Sequence, residues 1–434
     1  MLTDKLLLYD KLKDDEIISS MAYLLCRNDH MEEEISEEEL GALGVSCVAR
    51  LIDEGVRHGY EGNLWHDYLT YALVKDENAL SLSSERKGSV EGSLPTLAIH
   101  DFEVIKQLSD IDLAGLDKYF RTDGFALIKN FVPDNTSGKI FNERIRDRIC
   151  TLAGTLSRAK DNFEFLNIMT DFYRDYGVGK YGLHKAFRVK HDKADEVVIE
   201  PIKKVKHIYL DDLVGYEAQK QKLIDNTEAF VNGKRANNCL LYGDMGTGKS
   251  SCIKALINRY YDSGLRLIEV YKHQMRDLND VIAQIKGRNY RFIIYMDDLS
   301  FEDHEVEYKY LKAVIEGGLE KQPENMLIYA TSNRRHLIHE GFSDKLDRSE
   351  DDDIHSADTV QEKLSLSARF GISIYFGRPN KKEYDNIVKV LAERYGVRMT
   401  EEELLKLANR WELEHGGYSG RVAQQLIDYI LGTL

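Results

Sequence analysis

The chain lacks several things, and each absence narrows what it can be. No run of about 18 apolar residues occurs in its 434 positions, so no ordinary membrane-spanning helix is expected. The opening Met1-Leu2-Thr3-Asp4-Lys5-Leu6 has none of the charged-then-apolar pattern of a secretory signal. Cysteines are few: Cys26, Cys47, Cys150, Cys239 and Cys252. Their odd number, wide spacing and lack of a Cys-x-x-Cys pair argue against a disulfide framework or thiolate metal site, and for free thiols in a reducing cytoplasm. Positive charge is also in deficit. Lys+Arg 59 against Asp+Glu 74 leaves a net charge of −15, which disfavours broad contact with nucleic acid. His30, His58, His66 and His100 are scattered without metal-ligand spacing.

What is present is concentrated in one stretch. Cys239-Leu240-Leu241-Tyr242 reads as an apolar strand. Gly243-Asp244-Met245-Gly246-Thr247-Gly248-Lys249-Ser250 follows, with Ser251 just beyond, and matches the phosphate-binding loop G-x-x-x-x-G-K-[ST]. Gly243, Gly246 and Gly248 allow the tight turn that points successive N–H groups inward. The helix starting near Lys249 adds its positive end. Lys249 is placed for the β- and γ-phosphates, and the Ser250 hydroxyl for Mg²⁺. Downstream, Arg291-Phe292-Ile293-Ile294-Tyr295-Met296 reads as a buried strand ending in Asp297 and Asp298. In that position Asp297 would hold Mg²⁺ and Asp298 would polarise an attacking water.

Around these motifs the chain divides into three. Residues 1–195 read as mostly helical. One signal is a capping box at Ser36 and Glu39, and a helix-like amphipathic stretch runs from Ile140 to Leu152. The polar stretch Ser81 to Gly92 reads as a loop. Gly177-Val178-Gly179-Lys180-Tyr181-Gly182 matches G-x-G-x-x-G, but the helical, polar-aromatic residues before it exclude a dinucleotide fingerprint. The stretch from about 195 to 212, carrying Lys203, Lys204, Lys206 and His207, reads as a solvated linker, with an anion or nucleic-acid contact as the rival reading. Residues 196–378 alternate apolar strands with helices, the pattern of a parallel sheet covered on both faces. The acidic run from Asp347 to Asp353 reads as an exposed loop. Residues 379–434 read as a helical lid of three helices, near 381–395, 401–413 and 418–431.

Five runs carry a resemblance: Asp212-Leu213-Val214-Gly215-Tyr216-Glu217, Ala236-Asn237-Asn238 leading into the loop, Met296-Asp297-Asp298-Leu299-Ser300-Phe301, Tyr329-Ala330-Thr331-Ser332-Asn333-Arg334-Arg335-His336, and Glu362-Lys363-Leu364-Ser365-Leu366-Ser367-Ala368-Arg369-Phe370-Gly371. From about Tyr176 onward the chain resembles AAA+ P-loop ATPases, and within them a bacterial group catalogued only as a domain of unknown function. The resemblance implies an AAA+ α/β core with a C-terminal helical lid, ATP and Mg²⁺ as ligands, and a homo-oligomer, with a ring as one form. It assigns Val214 and Gly215 to the adenine pocket and Asn333 to orienting water. Arg369 becomes a finger acting on a neighbour's site, with Arg334 and Arg335 as rivals, and Arg421 becomes the lid's sensor. Asp298 departs from the usual glutamate by one methylene, which leaves turnover open. The expected activity is ATP hydrolysis coupled to conformational change on a macromolecular client. The rival is an ATP-gated switch or scaffold with negligible turnover, and a small-molecule phosphotransferase is a third reading. Tyr271-Lys272-His273-Gln274-Met275 lacks the glycine of a polypeptide-threading loop.

Overall fold

The computed structural model describes residues 1–29, 37–120, 122–133, 141–301, 305–317, 323–333, 337 and 366–433. Ser36 of the expected capping box, the acidic run from Asp347 to Asp353, Arg334 and Arg335 lie outside the described residues. Among those described, no helix is long and apolar enough to cross a membrane. The chain forms two compact units, Met1–Leu183 and His184–Leu434.

The first unit is helical. It contains α1 (Glu16–Asp29), α2 (Glu37–His58), α3 (Leu64–Lys75), α4 (Ala79–Lys87), α5 (Leu94–Ser109), α6 (Leu113–Phe120), α7 (Gly124–Lys129), α8 (Glu143–Leu156), α9 (Asn162–Tyr176) and α10 (Gly179–Leu183). One core of large side chains, among them Tyr9, Trp65, Phe102, Phe125 and Tyr173, runs through it. The stretch read as a loop from Ser81 onward is instead most of α4. Asn78 and Ser81 form a capping box before it, and Gly88 closes it in the left-handed conformation. Its polar residues Ser81, Ser84 and Glu85 are buried, while Arg86 and Lys87 are exposed. Ser81 Oγ donates to Asp76 O (3.0 Å), Ser84 Oγ to Leu80 O (2.8 Å), and Glu85 Oε2 accepts from Val178 N (3.0 Å). Hydrogen-bonded serines and a glutamate therefore imitated a solvated loop in the sequence.

The glycine-rich Gly177–Gly182, expected as a turn, turns only at Gly177 and Val178 and from Gly179 forms the short helix α10. Gly177 caps α9 at φ 80°, and a Cβ on Gly182 would sit 2.7 Å from the Gly177 backbone. That close approach is the reason for the spacing.

The second unit is built on a seven-stranded sheet in the order β2-β1-β4-β5-β6-β3-β7. Its strands are β1 (Ala186–His191), β2 (Val197–Pro201), β3 (Cys239–Gly243), β4 (Leu265–Glu269), β5 (Arg291–Met296), β6 (Met326–Ser332) and β7 (Ile372–Phe376). Only β1 and β2 pair antiparallel; every other neighbouring pair is parallel. The hairpin β1–β2 falls where a helical segment and a linker were expected, so the sheet begins before residue 195. Its alternation is short, and Asp192 to Glu196 between the strands is polar enough to resemble a linker. Phe292, Ile293, Ile294 and Tyr295 are all fully buried, so both faces of β5 are covered. One face packs against α11 (Glu217–Val231) and α12 (Lys249–Tyr260) through Leu223, Phe230, Ile253 and Leu256. The α/β part also carries α13 (Leu278–Ile285) and α14 (Glu307–Glu316) among its described residues.

The lid is α15 (Lys381–Arg394), α16 (Glu401–Glu414) and α17 (Gly420–Thr433). Capping boxes at Asn380/Glu383 and Thr400/Glu403 start the first two. Tyr384, Val388, Ala408, Leu426 and Ile427 form the lid's core, and Val214 packs partly buried against it. This is the α/β AAA+ P-loop architecture, with helical parts on either side of the sheet in sequence.

Candidate nucleotide site

Strand β3 delivers the phosphate loop to the top of the sheet. A Cβ on Gly243, at φ 132°, would lie 2.2 Å from the Phe376 carbonyl oxygen on β7, so only glycine passes there. Gly246 and Gly248 also take positive φ, 75° and 90°, conformations open to glycine at little cost. Gly248 is the residue before α12. Lys249 opens that helix and is 6% exposed. Its ammonium donates to Gly243 O and Asp244 O, both 2.7 Å, and to Asn333 Oδ1, 3.2 Å. Burial lowers its pKa, while Asp244, Asp298 and Asp297 push the other way.

Strand β5 carries the carboxylates to the same place. Ser250 Oγ donates to Asp297 Oδ1 at 2.6 Å, and Thr331 Oγ1 donates to the same oxygen at 2.7 Å. Lys254 lies 3.6 Å from Asp297 Oδ2. Burial alone would raise the Asp297 pKa, but the hydroxyls of Ser250, Thr331 and Tyr295 outweigh it and hold the carboxyl below its usual range. Asp298 sits at φ 50°, a left-handed conformation that aspartate tolerates better than most side chains. Its amide donates to Thr331 Oγ1 (2.9 Å), and its Oδ1 accepts from Asn333 Nδ2 (2.6 Å). A continuous chain Lys249–Asn333–Asp298 therefore links loop and strand ends, with Ser250–Asp297 beside it.

The lid closes the other side. Arg421 N donates to Gly246 O at 3.2 Å, and a Cβ on Gly246 would lie 3.1 Å from Arg421 Cβ. Arg394 of α15 donates to Asp211 O and Asp212 O, both at 2.9 Å, which ties the lid to the segment carrying Leu213 to Gly215. Between these parts lies a cleft of about 630 Å³, within the usual size of a small-molecule site. Its lining holds an apolar set, Leu213, Val214, Ile387 and Leu391, and a polar set, Lys249, Ser250, Asp297, Asp298 and Asn333. Gly215, Met245 to Gly248, Ser251 and Arg421 also line it.

Of the residues singled out in the sequence, Gly243, Asp244 and Arg369 do not line the cleft. Gly243 and Asp244 lend Lys249 their carbonyls from behind. Asp244 also accepts from Arg378 N at 3.0 Å. Arg369 lies just before β7 and pairs with Glu316 of α14. The structure adds residues that the sequence reading missed. Thr331 orients the Asp297 carboxylate and accepts from the Asp298 amide, and its position two residues before Asn333 at a strand end was the available signal. Ile387 and Leu391 come from the lid, where nothing in the local sequence marked them. Lys206, in the presumed linker, lines the cleft as well.

Residues 182–434 match the family described as Protein of unknown function (DUF815), and the chain belongs to it. Over 88 residues the chain is 35% identical to the replication factor C large subunit of Methanococcus maripaludis strain C5, and 32% identical to that of strain C7. Each match covers 20% of this chain and 17% of the relative, so the chain spans about a sixth of those proteins. Among solved structures, it is similar to a point mutant of Thermotoga maritima RuvB, with 17% identity, a TM-score of 0.36, and coverage of 51% of this chain and 64% of that one. The Thermotoga maritima RuvB Holliday junction branch migration motor gives 16% identity and a TM-score of 0.32, over 52% of this chain and 72% of that one.

Proposed function

We propose that this member of a family without an assigned function is an ATPase, which binds ATP·Mg²⁺ in the cleft between sheet and lid and hydrolyses it. The observation that carries the reading is the convergence of Lys249, Ser250, Asp297, Asp298 and Asn333 through shared hydrogen bonds in the lining of a ligand-sized cleft that also presents apolar side chains. The donor set fits the ligands. Gly243 to Ser251 supplies backbone N–H groups turned by three glycines at positive φ, a cradle suited to phosphate. The Ser250 hydroxyl and Asp297 carboxylate are hard oxygen donors, the kind Mg²⁺ takes. Mg²⁺ held there would neutralise charge on the phosphate oxygens. Val214 and Gly215, with the lid's Ile387 and Leu391, would enclose the base.

Within this reading Asp298 polarises the attacking water, and Asn333 fixes both Asp298 and Lys249 in orientation. Arg421 brings positive charge from the lid. Arg369, outside its own cleft, acts on the site of a neighbouring protomer, so the working form is a homo-oligomer, a ring being one such form. Supplying such an arginine is worth about 10³–10⁵ in rate. The energy drives a conformational change in the oligomer that acts on a macromolecular client. The replication factor C likeness suggests nucleic-acid assemblies as a place to look. Residues 1–183 serve as helical domain, 184–378 as nucleotide-binding domain and 379–434 as lid. The chain works in the cytoplasm.

A second reading, an ATP-gated switch with negligible turnover, draws on Asp298. Its carboxylate is one methylene shorter than glutamate and is engaged by Asn333. Phosphate release at saturating ATP separates the two. The ATPase reading expects a rate well above background, falling about 10²–10⁴-fold in Asp298→Asn. A wild-type rate at background leaves the switch.

A further inference from the structure

Four cationic side chains line the cleft: Lys206, Lys220, Lys249 and Arg421. Two are occupied by the protein itself. Lys220 donates to Leu213 O at 2.7 Å and pairs with Glu217 at 2.7 Å. Lys249 holds Gly243 O, Asp244 O and Asn333. The Lys206 ammonium and the Arg421 guanidinium have no hydrogen-bond or ion-pair partner among the described residues. Arg421 belongs to the lid and already has a place in the proposed site. Lys206 does not.

Lys206 is also positioned by its neighbours. Residues 202–209 run from the end of β2 to the segment before Leu213. Ile202, Val205 and Ile208 pack partly buried on the core beneath α11 and α12. Asn258 Nδ2 of α12 donates to Ile208 O at 2.9 Å. This strap is therefore fastened on both sides of Lys206. Of the basic cluster Lys203, Lys204, Lys206 and His207, only Lys206 lines the cleft. An ammonium gains little from the apolar lining residues Val214, Ile387 and Leu391. Lys249 already serves the β- and γ-phosphates. A nucleotide offers one further anion, the phosphate next to the sugar. Ser251 and Cys252, from the first turn of α12, line the cleft together with Lys206.

We infer that Lys206 is a nucleotide-binding residue that contacts the phosphate nearest the sugar, and that the strap closes the cleft as a third wall beside sheet and lid. The inference rests on the nucleotide reading of the cleft. ADP and ATP share the phosphate concerned, so both must respond alike. Binding of each is measured by titration against wild type, Lys206→Ala, Lys206→Arg and Lys203→Ala. Lys206→Ala is expected to weaken ADP and ATP by the same factor, about tenfold, the worth of a charge-assisted contact at a partly exposed site. Lys206→Arg restores most of the loss, and Lys203→Ala binds as wild type does. Unchanged ADP affinity in Lys206→Ala, or a loss confined to ATP, overturns the inference. Lys249→Ala, run alongside, separates the two levels. If it binds poorly while Lys206→Ala binds normally, only Lys206 is misassigned. If it binds as wild type does, the nucleotide reading itself fails.

Discussion

The two units use their polar side chains differently. In the helical unit, Asp101 is fully buried and accepts from the backbone amides of Leu7, Leu8 and Tyr9 at 3.0, 2.7 and 3.0 Å. Tyr9 and Tyr173 share a hydrogen bond of 3.0 Å, and Tyr173 donates to Leu73 O at 2.8 Å. These groups staple distant segments, and their partners are mostly backbone. In the second unit, Lys249, Asp297, Asp298 and Asn333 sit in a network of side-chain hydrogen bonds at the edge of a cleft. Burial of a polar side chain therefore does not by itself mark function. The mark is a set of polar groups that engage each other and face a common space large enough for a ligand.

The comparison breaks first at Asp101. Asp101→Ala removes the acceptor for three backbone amides, each costing about 1–3 kcal/mol when left unpaired and buried. About 4 kcal/mol of stability is expected to go from the helical unit, with nucleotide affinity of the second unit intact. The chain has two tryptophans, Trp65 in the helical unit and Trp411 in the lid. Urea unfolding followed by Trp65 fluorescence in a Trp411→Phe background reads the helical unit alone. Lost nucleotide binding in Asp101→Ala would show that the staple also serves the site.

Thr331→Val makes the converse test. It keeps the buried shape and deletes the hydroxyl that orients Asp297 and receives the Asp298 amide. Mg²⁺-dependent ATP turnover should fall about tenfold, the worth of one to two neutral hydrogen bonds, with unfolding little changed. A large stability loss with normal turnover would make Thr331 a staple instead.

A further test concerns two carboxyls whose pKa values are shifted in opposite directions. Asp67 on α3, with burial as the main cause, has its pKa raised to about 7. Its folded form holds a proton that the unfolded chain releases near about pH 4. That contribution is present below about pH 4 and is lost as pH rises toward 7. Asp297 is shifted down, so its contribution is present above the ordinary aspartate range and is lost only as acid reaches its lowered pKa. Trp65-detected unfolding should thus show stability falling from about pH 4 up to about 7, and Asp67→Asn should flatten that slope. An unchanged slope would remove Asp67 as its origin.

Much of the second unit was legible because its residues are constrained one by one. Gly243 stands where no Cβ fits, Lys249 and Ser250 occupy fixed places at a helix start, and Asp297 and Asp298 end a fully apolar strand. The three lid helices were readable from their spacing, and the first two also begin at capping boxes. The α4 helix was not, because its serines and Glu85 bond inward. The β1–β2 hairpin was not, because its strands are short and partly exposed. Ile387, Leu391 and Lys206 come to the cleft from separate elements, and no local pattern announces a contact made only by folding. Asp298 is intermediate: its identity was readable, but its left-handed backbone, which suits aspartate, was not.

The central claim is that the cleft between sheet and lid binds a nucleotide through Lys249. Calorimetric titration of ATP·Mg²⁺ into wild type and Lys249→Ala, with folding of both checked by Trp65 and Trp411 fluorescence, tests it most directly. Saturable binding by wild type and a loss of about 100-fold in the folded variant are predicted. Equal affinity in the two proteins, or no binding by wild type, would contradict it.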